Sequence, residues 1–149
     1  MAKFSVYEDG IDNLFDIDFD EIAAEGLEEA APILEKCLKD SARLSVEHEG
    51  DSEMVNSVKA NKPKKAKNGA WIVHVGPKGA STTKMYRAKK TGRKYPVSNA
   101  LKAIWKEYGI EGHQAPRPFI TRATNQAKDA VYKTLQEVFD RKVEKDGSE

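Results

Sequence analysis

Histidine, cysteine and carboxylate side chains are the ones in this chain that would carry out catalysis or hold a metal. The three histidines, His48, His74 and His113, stand far apart and have no second ligand at a suitable spacing, so the sequence does not predict a zinc site. Cys37 is the only cysteine, which excludes an internal disulfide. Because it falls on the apolar face of a predicted helix, we expect a buried structural thiol rather than a nucleophile.

Two stretches have the composition of a ligand loop but not its pattern. Residues 76–83 begin Gly-Pro-Lys-Gly, yet they lack the residue order of a phosphate-binding loop, and no helical pattern follows them. Residues 9–20 are rich in aspartate, but their spacing does not match a calcium loop. The chain also has no Gly-x-Ser-x-Gly turn for a serine nucleophile. We therefore expect a protein that is not an enzyme, with no catalytic residues, cofactor or metal.

The chain separates its charges into blocks, although its net charge is only +1. Residues 1–58 contain 16 acidic and 4 basic residues, and residues 59–94 contain 12 basic residues and no acidic ones. Residues 95–149 are nearly balanced, with 9 basic and 8 acidic residues. Such blocks either neutralise each other, within the fold or between subunits, or attract a charged partner such as nucleic acid.

The basic block is the one chemical feature that rises above the background. Its cations would meet phosphates, and Trp71, Tyr86 and Tyr95 would stack on bases. Trp71 is more simply interpreted as a core residue of its strand, and nucleic-acid modules usually carry a net basic charge that this chain lacks. The basic side chains concerned are Lys62, Lys64, Lys65, Lys67, Lys84, Arg87, Lys89, Lys90, Arg93 and Lys94.

A long amphipathic helix is predicted over residues 20–44, because apolar residues recur there at three- and four-residue steps. Asp18 followed by Glu21 has the spacing of a capping box at the start of this helix. Pro32 lies inside it. Since an internal proline removes one backbone hydrogen bond, we expect a kink or two shorter helices.

The middle of the chain is predicted to contain short strands and loops. Residues 47–56 indicate a turn, whereas residues 57–60 and 71–75 have the composition of strands. Residues 61–69 between them indicate a hairpin-like loop or a solvated edge. Residues 78–95 are basic and show no apolar period, so we expect a long exposed loop there.

Two further helices are predicted in the last third of the chain. Residues 97–108 form a short amphipathic helix, with Ser98 as its cap and Gly109 as its stop. A proline-bearing loop over residues 112–118 follows, and apolar spacing then indicates a long final helix over residues 119–143.

The whole chain, residues 1–149, is expected to form one domain. Residues 1–15 would form an N-terminal arm, and residues 144–149 a frayed tail. No apolar run is long enough to cross a bilayer, and the first residues do not have the composition of a secretory signal. We therefore expect a soluble protein of a reducing cytoplasm that does not contact membranes.

The second half of the chain carries two motifs in a recognisable order. Residues 100–109 read Ala-Leu-Lys-Ala-Ile-Trp-Lys-Glu-Tyr-Gly, and residues 115–123 read Ala-Pro-Arg-Pro-Phe-Ile-Thr-Arg-Ala. Upstream, residues 50–58 resemble a Gly-x-Leu-x-x-Ser-Ile segment, and residues 73–77 resemble a strand that ends in Val-Gly. In this order the motifs resemble the siphophage minor tail component family, typified by gene product ten of a lambda-like coliphage. The resemblance extends over about residues 20–143.

The resemblance implies an α+β fold, in which a small antiparallel sheet is packed by the N-terminal helix, here kinked, and by the long C-terminal helix. It implies a structural role in tail completion or head–tail joining, usually in a homo-oligomeric ring that contacts other tail or neck proteins. The protein would then be found in the host cytoplasm during assembly and in the virion tail or neck afterwards. Ile110 and Glu111 replace a threonine common in the family, and the basic segment 78–95 is longer than in the family, so its role is not carried over.

Assembly would place the functional surface at an interface rather than at a catalytic site. We expect the basic loop of one subunit to oppose the acidic N-terminal part of a neighbour, and Phe119 to anchor the final helix. We also expect Glu107 to pair with Arg117 or Arg122 near the proline loop. Nucleic-acid binding by residues 59–94 is the alternative. The predicted interface residues are Lys84, Arg87, Lys89, Lys90, Arg93, Lys94, Glu107, Arg117 and Phe119.

Overall fold

The computed structural model describes residues 17–47 and 49–146, and over these ranges it has the predicted α+β fold. The predicted arm over residues 1–15 and the end of the predicted tail, residues 147–149, lie outside the described residues. The helices in the described part are α1 (Phe19–Arg43), α2 (Glu49–Asn56), α3 (Asn99–Tyr108) and α4 (Phe119–Asp146). The strands are β1 (Val58–Ala60), β2 (Lys64–Lys65), β3 (Trp71–Ile72), β4 (Val75–Pro77), β5 (Ala80–Arg87) and β6 (Lys94–Ser98).

Helix α1 begins where the sequence predicts. The Asp18 carboxylate accepts hydrogen bonds from the N–H groups of Asp20 and Glu21, at 3.0 and 3.1 Å, and so satisfies amides that have no partner within the helix. Pro32 lies inside one continuous helix of 25 residues, so of the two predicted alternatives the division into two shorter helices is wrong, and the kink stays a prediction. Burial of Ala30 and Ala31 beside the proline offsets the missing backbone hydrogen bond.

Helices α1 and α4 form an antiparallel pair along most of their length. Near the start of α1, Gly26 allows a close approach, since a Cβ there would lie 3.0 Å from the Leu135 side chain. Near the end of α1, the Ser41 hydroxyl donates to the Phe119 carbonyl at 2.8 Å. The predicted final helix is thus confirmed, and it extends to Asp146 rather than ending at residue 143.

The core lies where α1, α2, α3 and α4 meet. The predicted turn over residues 47–56 is wrong, because residues 49–56 form α2 and turn Met54 and Val55 into this core. The helix would not be stable alone at eight residues, so burial of these two side chains decides its conformation. The buried core residues are Leu38, Ala42, Met54, Val55, Val58, Ala103, Phe119 and Ala123, with the half-buried Cys37 packed against them.

A first hairpin is built from β1 to β4, and its strands are antiparallel. β1 pairs with β4 and β2 pairs with β3, so the strand predicted over residues 71–75 is divided into two short strands. The Asn61 N–H donates to the His74 carbonyl at 2.8 Å and joins the two parts. Trp71 is half-buried, and its indole N–H donates to the Asp20 carboxylate at 2.9 Å. It therefore fastens the hairpin to α1 and is not the core residue that the sequence predicts.

A second hairpin replaces the predicted loop over residues 78–95. β5 and β6 are antiparallel partners, with Tyr86 opposite Tyr95, and the ladder is irregular between Ala80 and Met85. The Ala88 N–H donates to the Arg93 carbonyl at 2.9 Å and closes the turn. The sequence shows no apolar alternation here because neither face of the hairpin is buried beyond its base, so no apolar face is required.

Helix α3 has its predicted cap and stop, but it begins at Asn99 rather than at residue 97, because residues 97 and 98 belong to β6. The Ser98 hydroxyl accepts a hydrogen bond from the Leu101 N–H at 3.1 Å, and Gly109 ends the helix with φ at 77°. Glycine is required at this position, because a Cβ on Gly109 would lie 2.6 Å from the Gln114 carbonyl oxygen. The loop after α3 therefore folds back against the end of the helix before it enters α4.

Candidate assembly surface

The second hairpin gathers the predicted basic residues on one projecting element. Residues 82–96 are all exposed except Ala88, which is half-buried. Within the turn, the Arg87 guanidinium donates to the Gly92 carbonyl at 2.9 Å and orders the tip. The cations that the structure brings together on the hairpin are Lys84, Arg87, Lys89, Lys90, Arg93 and Lys94.

Apolar side chains lie among these cations. The Tyr86 and Tyr95 rings contact each other across the two strands, with centroids 5.7 Å apart, and the two residues remain 48% and 39% exposed. Met85 is also exposed and lies on the opposite face of the strand by alternation. Such cross-strand pairs stabilise a hairpin by roughly 0.2–1 kcal/mol. The hairpin thus presents aromatic and positively charged surface together.

Glu53 on α2 anchors the base of this hairpin. Its carboxylate accepts hydrogen bonds from the Thr82 N–H at 2.7 Å and from the Ser81 hydroxyl at 2.9 Å. The Lys102 ammonium group donates to the same carboxylate at 3.1 Å. These three donors lower the pKa of Glu53 from 4.5 to about 2, and the Thr82 N–H has the largest effect. The hairpin therefore leaves the body of the protein from a hydrogen-bonded base.

Two lysines of α3 are buried and form ion pairs with α2 and the segment before it. Lys102 is 6% exposed and Lys106 is 4% exposed. Lys106 lies 2.7 Å from the Asp51 carboxylate and 3.2 Å from that of Glu47, which also pairs with Arg117. The sequence does not predict this network, because lysines spaced four apart on a helix usually indicate its solvent face. No local pattern reveals their acidic partners, which lie about 50 or more residues earlier in the chain.

Glu107 caps α4 rather than pairing with an arginine. Its buried carboxylate accepts hydrogen bonds from the N–H groups of Ile120 and Thr121, at 2.7 and 3.1 Å. The predicted pair with Arg117 or Arg122 is therefore wrong. The first amides of a helix have no partner within it, and a carboxylate from a neighbouring helix satisfies them here.

Phe119 is fully buried, so it anchors the start of α4 as predicted. Glu107 and Phe119, both predicted to be interface residues, lie in the interior. Arg117 is exposed, but it lies in the loop beside α3 and not on the hairpin. The predicted interface residues thus fall into two groups, the exposed cations and the two buried residues that hold α4.

Helix α3 is amphipathic as predicted, but it turns much of its apolar face outwards. Ile104 is 50% exposed and Tyr108 is 74% exposed, while Leu101 and Trp105 are half-buried. The ion pairs and the α4 cap described above hold the polar face inwards. The residues of α3 that are buried are Asn99, Lys102, Ala103, Lys106 and Glu107.

A groove of about 360 Å³ lies between β5 and the side of α3 that carries Lys102, Trp105 and Lys106, next to the outward apolar face. Thr83 and Lys84 line one side and Trp105 and Lys106 the other, with the Lys84 ammonium group 5.5 Å from the centre of the Trp105 ring. Asp51 and Gln114 also line the groove, and the buried side-chain nitrogen of Gln114 has no hydrogen-bond partner within the described residues. The groove therefore offers the Lys84 ammonium group and the aromatic surface of Trp105, while Lys106 is already paired with Asp51.

No group of three histidine, cysteine or carboxylate residues is placed to hold a metal ion within residues 17–47 and 49–146. In the same part of the chain, every helix is too short or too polar to cross a membrane.

No family model, no curated protein and no solved structure matches this chain. The resemblance to the tail component family therefore depends on the motifs alone and stays a prediction.

Proposed function

We propose that this protein is a structural component of a phage or prophage virion, and that it acts in tail completion or head–tail joining through contacts between subunits. The observation that carries the proposal is the second hairpin, which projects six exposed cations and a tyrosine pair from a hydrogen-bonded base. A projecting charged ribbon is suited to docking on another protein surface. The ordered sequence motifs supply the phage context, and the virion tail or neck is the proposed location.

Three glutamates in the first half of α1 already pair with α4 of the same subunit. Arg141 lies 2.7 Å from the carboxylates of Glu25 and Glu29, and Lys142 lies 2.7 Å from those of Glu21 and Glu25. Hydrogen bonds to the Glu21 carboxylate and, as the next largest cause, to the Glu25 carboxylate raise the pKa of the Lys142 ammonium group. The hairpin of a neighbour would therefore dock elsewhere than on this face of α1.

The first test removes the charge of the hairpin tip. Lys89, Lys90, Arg93 and Lys94 are replaced with serine, and a matched control replaces four exposed cations elsewhere, Lys36, Arg122, Lys128 and Lys133. We expect the tip variant to lose its oligomeric state, measured by light scattering after size exclusion, and to lower phage yield at least about tenfold where the gene is carried by a phage. An unchanged mass and yield for the tip variant would contradict the role of the hairpin.

Nucleic-acid binding by residues 59–94 is the competing outcome of the same experiment. Repeating the size-exclusion run with a DNA duplex distinguishes the two, because phosphate contacts make binding weaken steeply as salt increases. A discrete oligomer that ignores DNA supports the assembly role. Co-elution with the duplex at physiological salt, lost at high salt, would overturn it in favour of nucleic-acid binding.

A further inference from the structure

We propose that the groove between β5 and α3, together with the outward apolar face of α3, binds residues 4–16 of a second copy of this chain. The proposal rests on the assembly role above, because it identifies the segment through which two subunits would join. It is argued from the chemistry of the groove, from the composition of residues 4–16 and from the length of chain available.

The groove side requires an occupant that is both apolar and acidic. Ile104, Trp105 and Tyr108 present apolar surface on α3, and Lys84 borders the groove beside Trp105. The cations of the hairpin extend the positive surface away from the groove.

Residues 4–16 have this composition. This segment contains no basic residue, and its four carboxylates give it a charge of −4. The hairpin, by comparison, carries six cations. Its apolar and acidic residues alternate closely enough for both kinds of side chain to contact one surface. The apolar residues are Phe4, Val6, Tyr7, Ile11, Leu14 and Phe15, and the acidic residues are Glu8, Asp9, Asp12 and Asp16.

The dimensions of the chain favour a second copy over the same one. The segment joins the start of α1, whereas α3 lies at the other end of that helix, where Ser41 bonds to the first residue of α4. At 1.5 Å per residue, these two ends of α1 are about 33 Å apart. An extended chain covers about 3.4 Å per residue, so about ten residues would be used merely to reach the groove of the same subunit. Leu14 and Phe15 would then never contact α3 in their own chain.

Photo-crosslinking at Phe15 tests the proposal directly. The full-length chain is made with benzoylphenylalanine in place of Phe15, irradiated, digested and analysed by mass spectrometry. We expect a product of twice the chain mass, in which the peptide containing residue 15 is joined to a peptide from residues 101–108. A matched protein with benzoylphenylalanine at the exposed Tyr132 of α4 should not give a dimer that is crosslinked to residues 101–108.

Two surface variants check that the apolar and the charged contacts both contribute. Ile104→Ser with Tyr108→Ser alters exposed positions, so the fold should survive, and we expect the crosslink yield to fall about tenfold. Asp9→Asn, Asp12→Asn and Asp16→Asn together should lower it similarly, whereas Glu111→Gln, Glu137→Gln and Glu144→Gln should not. An unchanged yield in either of the first two variants would overturn the proposal.

The outcomes separate this proposal from the assembly role. If light scattering shows an oligomer but the crosslinks join residue 15 to other regions, or do not form, this proposal is wrong and the assembly role stands. If the protein is a monomer at every concentration and forms no crosslinked dimer, subunit association is wrong, and this proposal fails with it.

Discussion

Glu107 shows how one buried carboxylate connects two helices. It lies near the end of α3, and it satisfies amides at the start of α4 that no residue of α4 itself could satisfy. The sequence suggests only that Glu107 stands close to the arginines of the proline loop. A carboxylate that accepts hydrogen bonds from backbone N–H groups has no partner side chain for the sequence to indicate. This role was therefore not predictable from residue types.

Replacing Glu107 with alanine should be costly for this reason. The change removes the acceptor of the partly buried Ile120 and Thr121 N–H groups, and an N–H group left buried without an acceptor costs about 1–3 kcal/mol. We expect the free energy of unfolding in urea to fall by at least about 2 kcal/mol.

The conservative and control variants sharpen this test. Glu107→Gln keeps one acceptor oxygen and should lose less stability than Glu107→Ala. Glu111→Ala alters an exposed position four residues further along the chain, so it should change the free energy of unfolding little. Equal effects of Glu107→Ala and Glu111→Ala would contradict the capping role.

At the scale of elements, the helices were more predictable from the sequence than the strands. Periodic apolar spacing and local caps located α1, α3 and α4, because these signals lie within each helix. Helix α2 was not predicted, because eight residues are too few to show a helical repeat of apolar residues. Its conformation depends instead on the burial of Met54 and Val55. The second hairpin was not predicted, because neither of its faces is buried beyond the base and its sequence therefore shows no alternation of apolar residues.

The apolar face of α3 shows a different limit. Its amphipathic pattern is correct, but the pattern does not say which face is buried. Acidic partners from other elements and the amides of α4 decide that the polar face turns inwards. Such contacts join residues far apart in the chain, so only the folded structure displays them.

Pro32 provides a prediction at the scale of one element. The helix continues through this exposed proline although it lacks one N–H donor, and an internal proline costs up to about 3 kcal/mol. Pro32→Ala restores the donor, so we expect the free energy of unfolding to rise by roughly 1–3 kcal/mol. Lys36→Ala, at the next exposed turn, is the control and should change it by less than about 0.5 kcal/mol. A loss of stability in Pro32→Ala would mean that α1 needs the proline.

For the whole molecule, ion pairs and hydrogen-bonded carboxylates make stability depend on pH. Because the pKa of Glu53 is lowered to about 2, its carboxylate stabilises the folded state above pH 4.5, and this contribution is lost as the pH falls from 4.5 towards 2. The pKa of Glu25 is also lowered, by Lys142 and then Arg141, so the pairing of α1 with α4 weakens in the same direction.

Glu53→Gln isolates the contribution of the hairpin anchor. We expect the variant to be less stable than the original protein at pH 7 and the difference to narrow as the pH falls below 4.5. Urea unfolding at pH 7, 5, 3 and 2 measures it, with Glu144→Gln as an exposed control. A difference that stays constant from pH 7 to pH 2 would show that the Glu53 charge does not anchor the hairpin.

The second hairpin contributes little apolar burial to the body of the protein, since Val97 is the buried apolar side chain that its two strands provide. Its outer residues are therefore separable from the residues that determine folding. Substitutions there would alter what the protein recognises while the helices keep their packing, so binding specificity has room to diverge without a matching change in stability. The same separation makes the hairpin a suitable place to graft a different recognition sequence by design.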